Sequence, residues 1–311
     1  MKKNTLDTKE FARIFKTTEK EIPDLAKNVI NSFDFSYRNI DRETEKKAIQ
    51  KTIGVLLDPT VKVSGPHRKK DWEKGWLENF KNFEKRSSSV GELIPKFVKR
   101  EPLKRLLGSF IEVSSDDFET NFVKVLRYYL FSKYFKHSDH IYEFGAGTGL
   151  NLVAVDEIFP NKKLTGLDWT KSTCKIIKAI NNRFGTNIAC QFFDLFSPDT
   201  QFHLEKKSAV FTIGALEQLG DNFKPFIKYL LKNKPNICIN IETLYELYDE
   251  NNLVDFLAKK YLEKRNYLKG YLPYLKELEN KRKVKILKIN RTFGSFYHEG
   301  YSFVVWKPIN E

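Results

Sequence analysis

Cysteine is scarce in this chain. The 311 residues hold three, Cys174, Cys190 and Cys238, far apart and with no CxxC pair. Such spacing argues against a disulfide framework or a zinc cage and suits a reducing compartment. Long apolar runs are missing too: nothing approaches the roughly 18 consecutive apolar residues that a helix needs to cross a bilayer. The opening Met1-Lys2-Lys3-Asn4-Thr5-Leu6-Asp7 is charged with no apolar block behind it, so no signal peptide is expected and the expected location is the cytoplasm. Internal repeats and low-complexity stretches are absent. Acidic residues are the minority charge, 40 Asp and Glu against 54 Lys and Arg, for a net charge of +14. That excess invites a nucleic-acid reading. It is spread along the whole chain, however, and its densest runs, His67-Arg68-Lys69-Lys70 and Lys281-Arg282-Lys283, are short.

What is present is the material of a large core, with 41% hydrophobic and 14% aromatic residues. Residues 1–137 read as a helical N-terminal region. The apolar spacing predicts a helix from Asp41 to Leu57, stopped by Asp58-Pro59. A second carries Trp72, Trp76, Phe80 and Phe83 on one stripe. A third starts at Asp116-Asp117 and runs through Phe122, Val125, Leu126, Tyr129, Leu130 and Phe135. From 138 to 311 the pattern changes to short apolar strands alternating with amphipathic helices. Strands are expected at 141–144, 163–167, 188–193, 208–212 and 237–241, and helices near 149–159, 171–184, 222–232 and 246–268. This alternation predicts an α/β fold with a mostly parallel sheet covered by helices on both faces. Two last β-rich runs, 284–291 and 301–306, have only the 294–300 connection between them, so they must pair as an antiparallel hairpin.

The strongest local signal is Glu143-Phe144-Gly145-Ala146-Gly147-Thr148-Gly149, set between an expected strand and an expected helix. Glycines in such a turn let a ligand approach the backbone closely. The spacing is G-x-G-x-G, unlike the G-x-G-x-x-G of dinucleotide binders. An acidic residue two places ahead would repel a pyrophosphate but suits ammonium and sulfonium charges. At these residues the sequence resembles the class I, Rossmann-like S-adenosylmethionine-dependent methyltransferases, over roughly 138–307. The resemblance implies a seven-stranded sheet ending in an antiparallel hairpin. It implies S-adenosylmethionine as cofactor and S-adenosylhomocysteine as product. Glu143, Gly145, Ala146, Gly147 and Gly149 would form the first motif. Asp168, ending the second strand, would accept the ribose hydroxyls, with Trp169 against the adenine. Asp194, ending the third, would bond the adenine amino group, with Phe193 and Leu195 flanking the ring. Gly214, in Thr212-Ile213-Gly214-Ala215-Leu216-Glu217-Gln218 after the fourth strand, would line the donor site.

Methyl transfer to a hydroxyl needs alignment and a base. The candidates near the carboxyl ends of the fourth and fifth strands and in the last hairpin are His298, Glu217, Glu242 and Glu246, with Asp249 beside them. His298 lies in the glycine-bracketed Phe293-Gly294-Ser295-Phe296-Tyr297-His298-Glu299-Gly300 and has the near-neutral affinity for protons that a base requires. No His/Asp/Glu spacing fixes a metal site, so none is expected. The Asn/Asp-Pro-Pro-Tyr/Phe motif of enzymes methylating base amino groups is absent after the fourth strand. Cys238, inside Ile237-Cys238-Ile239, reads as a buried strand residue, not as the nucleophile of a 5-methylcytosine enzyme. These features favour a small-molecule or glycan hydroxyl over nucleic acid. An RNA or protein methyltransferase is the alternative that charge supports, and a non-catalytic S-adenosylmethionine-binding protein is another. Residues around Trp72–Trp76 and Arg127–Tyr129, with the insertion 243–282, are expected to wall the acceptor side.

Overall fold

The computed structural model describes residues 3–85, 89–96, 98 and 101–309. The chain begins with β1 (Lys3–Thr5), α1 (Thr8–Ile14), α2 (Asp24–Ser32), β2 (Ser36–Asn39), α3 (Arg42–Leu57) and α4 (Lys69–Lys85). There follow β3 (Leu103–Leu106), β4 (Ser109–Val113) and α5 (Phe118–Tyr134). The alternating part runs β5 (His140–Phe144), α6 (Leu150–Ile158), β6 (Lys163–Asp168), α7 (Lys171–Phe184), β7 (Ile188–Phe192), β8 (Ser208–Ile213), α8 (Lys224–Asn233) and β9 (Ile237–Glu242). It closes with α9 (Leu253–Arg265), α10 (Tyr271–Asn280), β10 (Val284–Asn290), β11 (Phe293–Gly294) and β12 (Ser302–Pro308).

Seven strands form the main sheet in the order β10-β12-β9-β8-β5-β6-β7. The five strands from β5 to β9 are parallel, and β12 alone is reversed, antiparallel to both β9 and β10. Chain order reverses direction in the sheet between β5 and β8, and a ligand crevice is expected outside the carboxyl ends of strands at such a point. Side chains alternate across each strand. Ile141 of β5 therefore joins the core under the N-terminal helices, while Tyr142 and Phe144 join the core under α8 and α10. Glu143 shares the face of Ile141, which turns it towards α5 and α6.

The N-terminal region is helical as expected but also carries a second, five-stranded sheet, β1-β2-β4-β3-β11, which the sequence reading does not contain. Its strands are two to five residues long, too short to show a period of two. The β3–β4 hairpin turns on Leu107 (φ 50°) and Gly108 (φ 92°), a left-handed pair that no Asn-Gly signal announces. The N-terminal region and main sheet share one core, in which the Phe122 ring stacks on Phe293 at 4.4 Å and Phe15 on Tyr129 at 5.0 Å.

Two further expectations need correction. The single helix read over 246–268 is instead α9, started by an Asn252 side chain that accepts from Asp255 N, followed by a separate α10. Asn266 (φ 51°) and Gly270 (φ 80°) turn left-handed and divide them. The cysteine spacing also misses a pairing: Cys174 on α7 and Cys190 on β7 are joined, with Cα atoms 5.4 Å apart. The α7–β7 turn folds this helix back on the strand that follows it, so 16 residues of separation become a contact. Cys238 is buried and free, as read. Among the described residues no helix is long and apolar enough to cross a membrane.

Candidate active site

The glycine turn links β5 to α6 and is left-handed three times, at Gly145 (φ 78°), Gly147 (φ 52°) and Gly149 (φ 73°). Two constraints hold it. Gly145 N and Ala146 N donate to Leu167 O at 2.7 and 3.0 Å, and Gly147 N donates to the Asp168 carboxylate at 2.9 Å. A Cβ on Gly145 would lie 2.4 Å from the Ala215 Cβ, and one on Gly147 would lie 3.0 Å from the Trp76 ring. The turn is thus pressed between the loop after β8 and an indole from α4.

Asp168 is 5% exposed, and its second oxygen accepts from Thr170 N and Thr170 Oγ1 at 2.9 and 2.7 Å. It both borders the cavity beside the turn and ties that turn to the end of β6. Burial raises its affinity for a proton. Trp169 lines the cavity next to it and stacks on Phe196 at 5.5 Å. Phe193, Leu195 and Phe196 complete this apolar slot. Asp194 stands just outside the lining, where its carboxylate accepts from Phe196 N at 2.9 Å and shapes the turn that presents these rings.

Glu143 does not line the cavity. It is fully buried beneath the turn, accepting from Asn151 Nδ2 at 2.6 Å, with its other oxygen unpartnered. Burial pushes its carboxyl up to about 8, although Asn151 and the Arg127 charge pull the other way. Arg127 of α5, also buried, donates to Asn151 at 2.9 Å, leaves Nε without a partner, and borders the cavity. The sequence reading puts Arg127 in a cap but assigns it no contact. The available signal is a guanidinium set within an otherwise apolar helix stripe.

The cavity, about 550 Å³, runs from this turn past the β8 loop to the 294–300 segment. Gly214, Ala215 and Glu217 form its floor. Glu242 lies behind them, outside the lining and fully buried. Its carboxylate accepts from the amides of Ala215, Leu216 and Glu217 at 3.2, 3.1 and 3.0 Å. Burial, then the nearby Glu217, pushes Glu242 up to about 8. Glu246 and Asp249 are likewise outside: Glu246 accepts from Gly270 N at 2.6 Å, and Asp249 caps Asn251 N at 2.9 Å. Of the five base candidates, Glu217, Glu242, Glu246, Asp249 and His298, only Glu217 and His298 line the cavity. Glu242 and Glu246 instead hold backbone.

Glu217 and His298 come together through Thr243, a residue the sequence reading leaves unused. The Thr243 hydroxyl donates to Glu217 at 3.1 Å and lies 2.9 Å from His298 Nδ1. With its proton committed to Glu217, Thr243 Oγ1 accepts from Nδ1–H, and the lone pair of His298 is left on Nε2. Contrary to the near-neutral affinity expected of it, His298 is lowered by burial to about 4, while Glu217 is raised by burial to about 7. Gly294 makes the loop close on itself: a Cβ there would lie 2.2 Å from His298 O. Tyr261 and Tyr267 wall the imidazole, each with its ring 5.7 Å away. Deeper, a buried Lys104–Glu119 pair accepts Tyr301 OH on Glu119 at 2.8 Å. Among the described residues no group of three or more His, Cys, Asp and Glu is arranged to hold a metal ion.

No family model and no curated protein matches this chain. Solved structures similar to it include a plantazolicin methyltransferase in complex with S-adenosylhomocysteine (9% identity, 79% of this chain and 98% of that one, TM-score 0.43). A SAM-dependent methyltransferase from Aquifex aeolicus is 12% identical over 57% of this chain and 87% of its own, with a TM-score of 0.39. A small RNA methyltransferase is 12% identical over 65% of this chain and 28% of its own, with a TM-score of 0.46. The main sheet has seven strands, mostly parallel, with β12 reversed between β9 and β10, the arrangement that the sequence resemblance implies.

Proposed function

We propose that this chain is an S-adenosylmethionine-dependent methyltransferase that transfers a methyl group to a hydroxyl of a small molecule or sugar. The observation that carries the reading is a single cavity lined both by the glycine turn and Asp168 and by Glu217 and His298. In this reading residues 1–137 and the insertion 243–282 wall the acceptor side of a cofactor-binding unit at 138–311.

The residues around the glycine turn fit the cofactor. Asp168 is a carboxylate for ribose hydroxyls, and Trp169, Phe193, Leu195 and Phe196 offer an apolar slot for adenine. Gly145, Ala146, Gly147 and Gly214 line the cavity where the donor's amino-acid part would lie, whereas Gly149, expected to join them, faces Ile177 and Ile180, and Asp194 serves the slot only by shaping the turn at Phe196. Arg127 has an unpartnered buried Nε–H, a donor that suits a carboxylate. Glu143, buried beneath the turn and holding its proton at neutral pH, braces the turn through Asn151. Bound there, S-adenosylmethionine supplies an electrophilic methyl group on a positively charged sulfur, and S-adenosylhomocysteine is the product.

The chain's own task is to align the acceptor hydroxyl and take its proton. His298 is neutral at pH 7, because burial disfavours the imidazolium, and Nε2 is the nitrogen free to accept. Thr243 fixes the tautomer, and an ionised Glu217 behind it steadies the imidazolium as it forms. Glu242 and Glu246 act on this arrangement only through the backbone they hold.

Calorimetric titration with S-adenosylmethionine, S-adenosylhomocysteine and NAD, repeated on Asp168→Ala and Asp168→Asn, tests the reading. Micromolar binding of both adenosyl ligands, weakened in the variants, is expected. Binding of NAD alone would overturn it. Binding without turnover on any hydroxyl acceptor would favour the non-catalytic alternative. Tight, salt-sensitive RNA binding would favour the RNA alternative, which the +14 charge supports.

A further inference from the structure

Among the described residues, five cationic side chains line the cavity, and three of them have carboxylate partners. Lys51 bonds Glu101, Lys104 bonds Glu119, and Arg68 bonds Asp71. Arg127 and Arg265 are in no ion pair among the described residues. A cation left without a counter-charge at a cavity wall carries a desolvation cost that an arriving anion removes. Arg127 lies beside the glycine turn, bonded to Asn151. Arg265 is on the other side, at the last residue of α9.

Arg265 is held for recognition. Its Nη1 donates to Tyr261 OH at 3.1 Å, and its guanidinium carbon stands 4.8 Å from the Tyr267 ring and 5.8 Å from the Tyr261 ring. These contacts fix the plane of the fork while occupying one nitrogen. Nε is buried with no hydrogen-bond partner, and no bond is made by Nη2 among the described residues. That leaves the Nε–Nη2 edge, the edge that grips a carboxylate or phosphate with two parallel bonds. Glu217 is the nearest acidic influence on this cation, yet its oxygens are bonded to Thr243 and Gln218 and do not pair with it. The same two tyrosines that wall His298 also hold Arg265.

We propose that the methyl acceptor carries an anionic group, a carboxylate or a phosphate, and that Arg265 binds it while the acceptor's hydroxyl faces His298. The proposal rests on the methyltransferase reading for the hydroxyl, but not for the anion. Because one pair of rings holds both Arg265 and His298, anion and hydroxyl belong to one small molecule. The substrate class is thus a hydroxy acid or a phosphorylated alcohol or sugar.

The test titrates the S-adenosylhomocysteine-loaded protein with inorganic phosphate, benzoate and phenol at constant ionic strength, following Tm. Wild type, Arg265→Gln, Arg265→Lys and the surface control Lys285→Gln are compared, each first checked for folding by circular dichroism. At least one anion is expected to stabilise wild type and Lys285→Gln equally. Its half-saturating concentration is expected to rise about tenfold or more in Arg265→Gln. Arg265→Lys, which keeps the charge but loses the fork, should fall between. Phenol should not distinguish the four proteins. Phosphate against benzoate decides which anion the site takes. If neither anion distinguishes wild type from Arg265→Gln, or neither binds at all, the proposal is overturned. Titration of S-adenosylhomocysteine itself separates the two readings. If it does not bind, the cofactor assignment fails, and the anion comparison is run on the unliganded protein.

Discussion

The Thr243 hydroxyl lies 2.9 Å from His298 Nδ1 and donates its own proton to Glu217, so a residue of the loop after β9 sets which nitrogen of His298 carries hydrogen. Removing that hydroxyl frees the tautomer without removing the ring. In Thr243→Val, the His298 Nε2 signal in a long-range 15N–1H spectrum should shift from an unprotonated nitrogen towards a tautomer mixture, and Thr243→Ser should restore it. With a hydroxyl acceptor, kcat should fall by about 10²-fold with little change in KM, a loss within the range for general-base catalysis. An unaltered spectrum in Thr243→Val would remove the relay.

Glu217 makes the rate depend on pH near neutrality. Its carboxyl is raised to about 7, whereas His298 stays neutral down to about 4. If an ionised Glu217 steadies the forming imidazolium, kcat should climb as pH rises through about 7. In Glu217→Gln that limb should disappear and the rate be low and flat from pH 6 to 8. A wild-type profile flat over the same range would refute the role.

Glu143 and Glu242 are both buried, with carboxyls raised from 4.5 to about 8. Between those values the unfolded chain loses protons that the folded chain retains, so their contribution to stability falls as pH rises from about 4.5 to 8. The Tm of Glu143→Gln should therefore decline less than that of wild type between pH 5.5 and 8. Parallel Tm–pH curves for the two proteins would contradict this account.

Gly145 is confined by Ala215, whose Cβ would stand 2.4 Å from an added methyl. With φ at 78°, Gly145→Ala also forces a left-handed alanine. A loss of about 1–3 kcal/mol is expected for that overpacking, with S-adenosylhomocysteine binding weakened at least tenfold. Adding Ala215→Gly should recover part of the Tm but little of the binding, since the backbone strain remains. Full recovery of both would show that the contact alone mattered.

Asn240 anchors the reversed strand: its side-chain oxygen accepts from Tyr271 OH at 2.6 Å and Trp306 Nε1 at 2.9 Å. Asn240→Leu would strand two buried donors, each costing about 1–3 kcal/mol. Urea unfolding should show a lowered midpoint with an unchanged slope.

How far the sequence reaches can be judged from particular residues. The five parallel strands were legible because each is a short apolar run between turn signals. The glycine turn and Asp168 were legible because their spacing is local. The second sheet was hidden in strands of two to five residues whose partners lie up to nearly 190 residues apart, as in Phe293 with Leu106. The Cys174–Cys190 bond depends on how α7 folds onto β7.

By itself, then, the sequence determined the alternation of strands and helices, the closing hairpin, and a cofactor-type turn with an acidic strand end beyond it. All of these follow from periodicity and from glycine's backbone freedom, properties read within a few residues. Only the tertiary structure decided that Glu242 and Glu246 hold backbone while Glu217 and His298 share a cavity. It alone brought Thr243 between these two, and left Arg127 and Arg265 at the cavity without an ion pair among the described residues. Those outcomes depend on which way side chains face after distant segments pack, and on which charges find partners there.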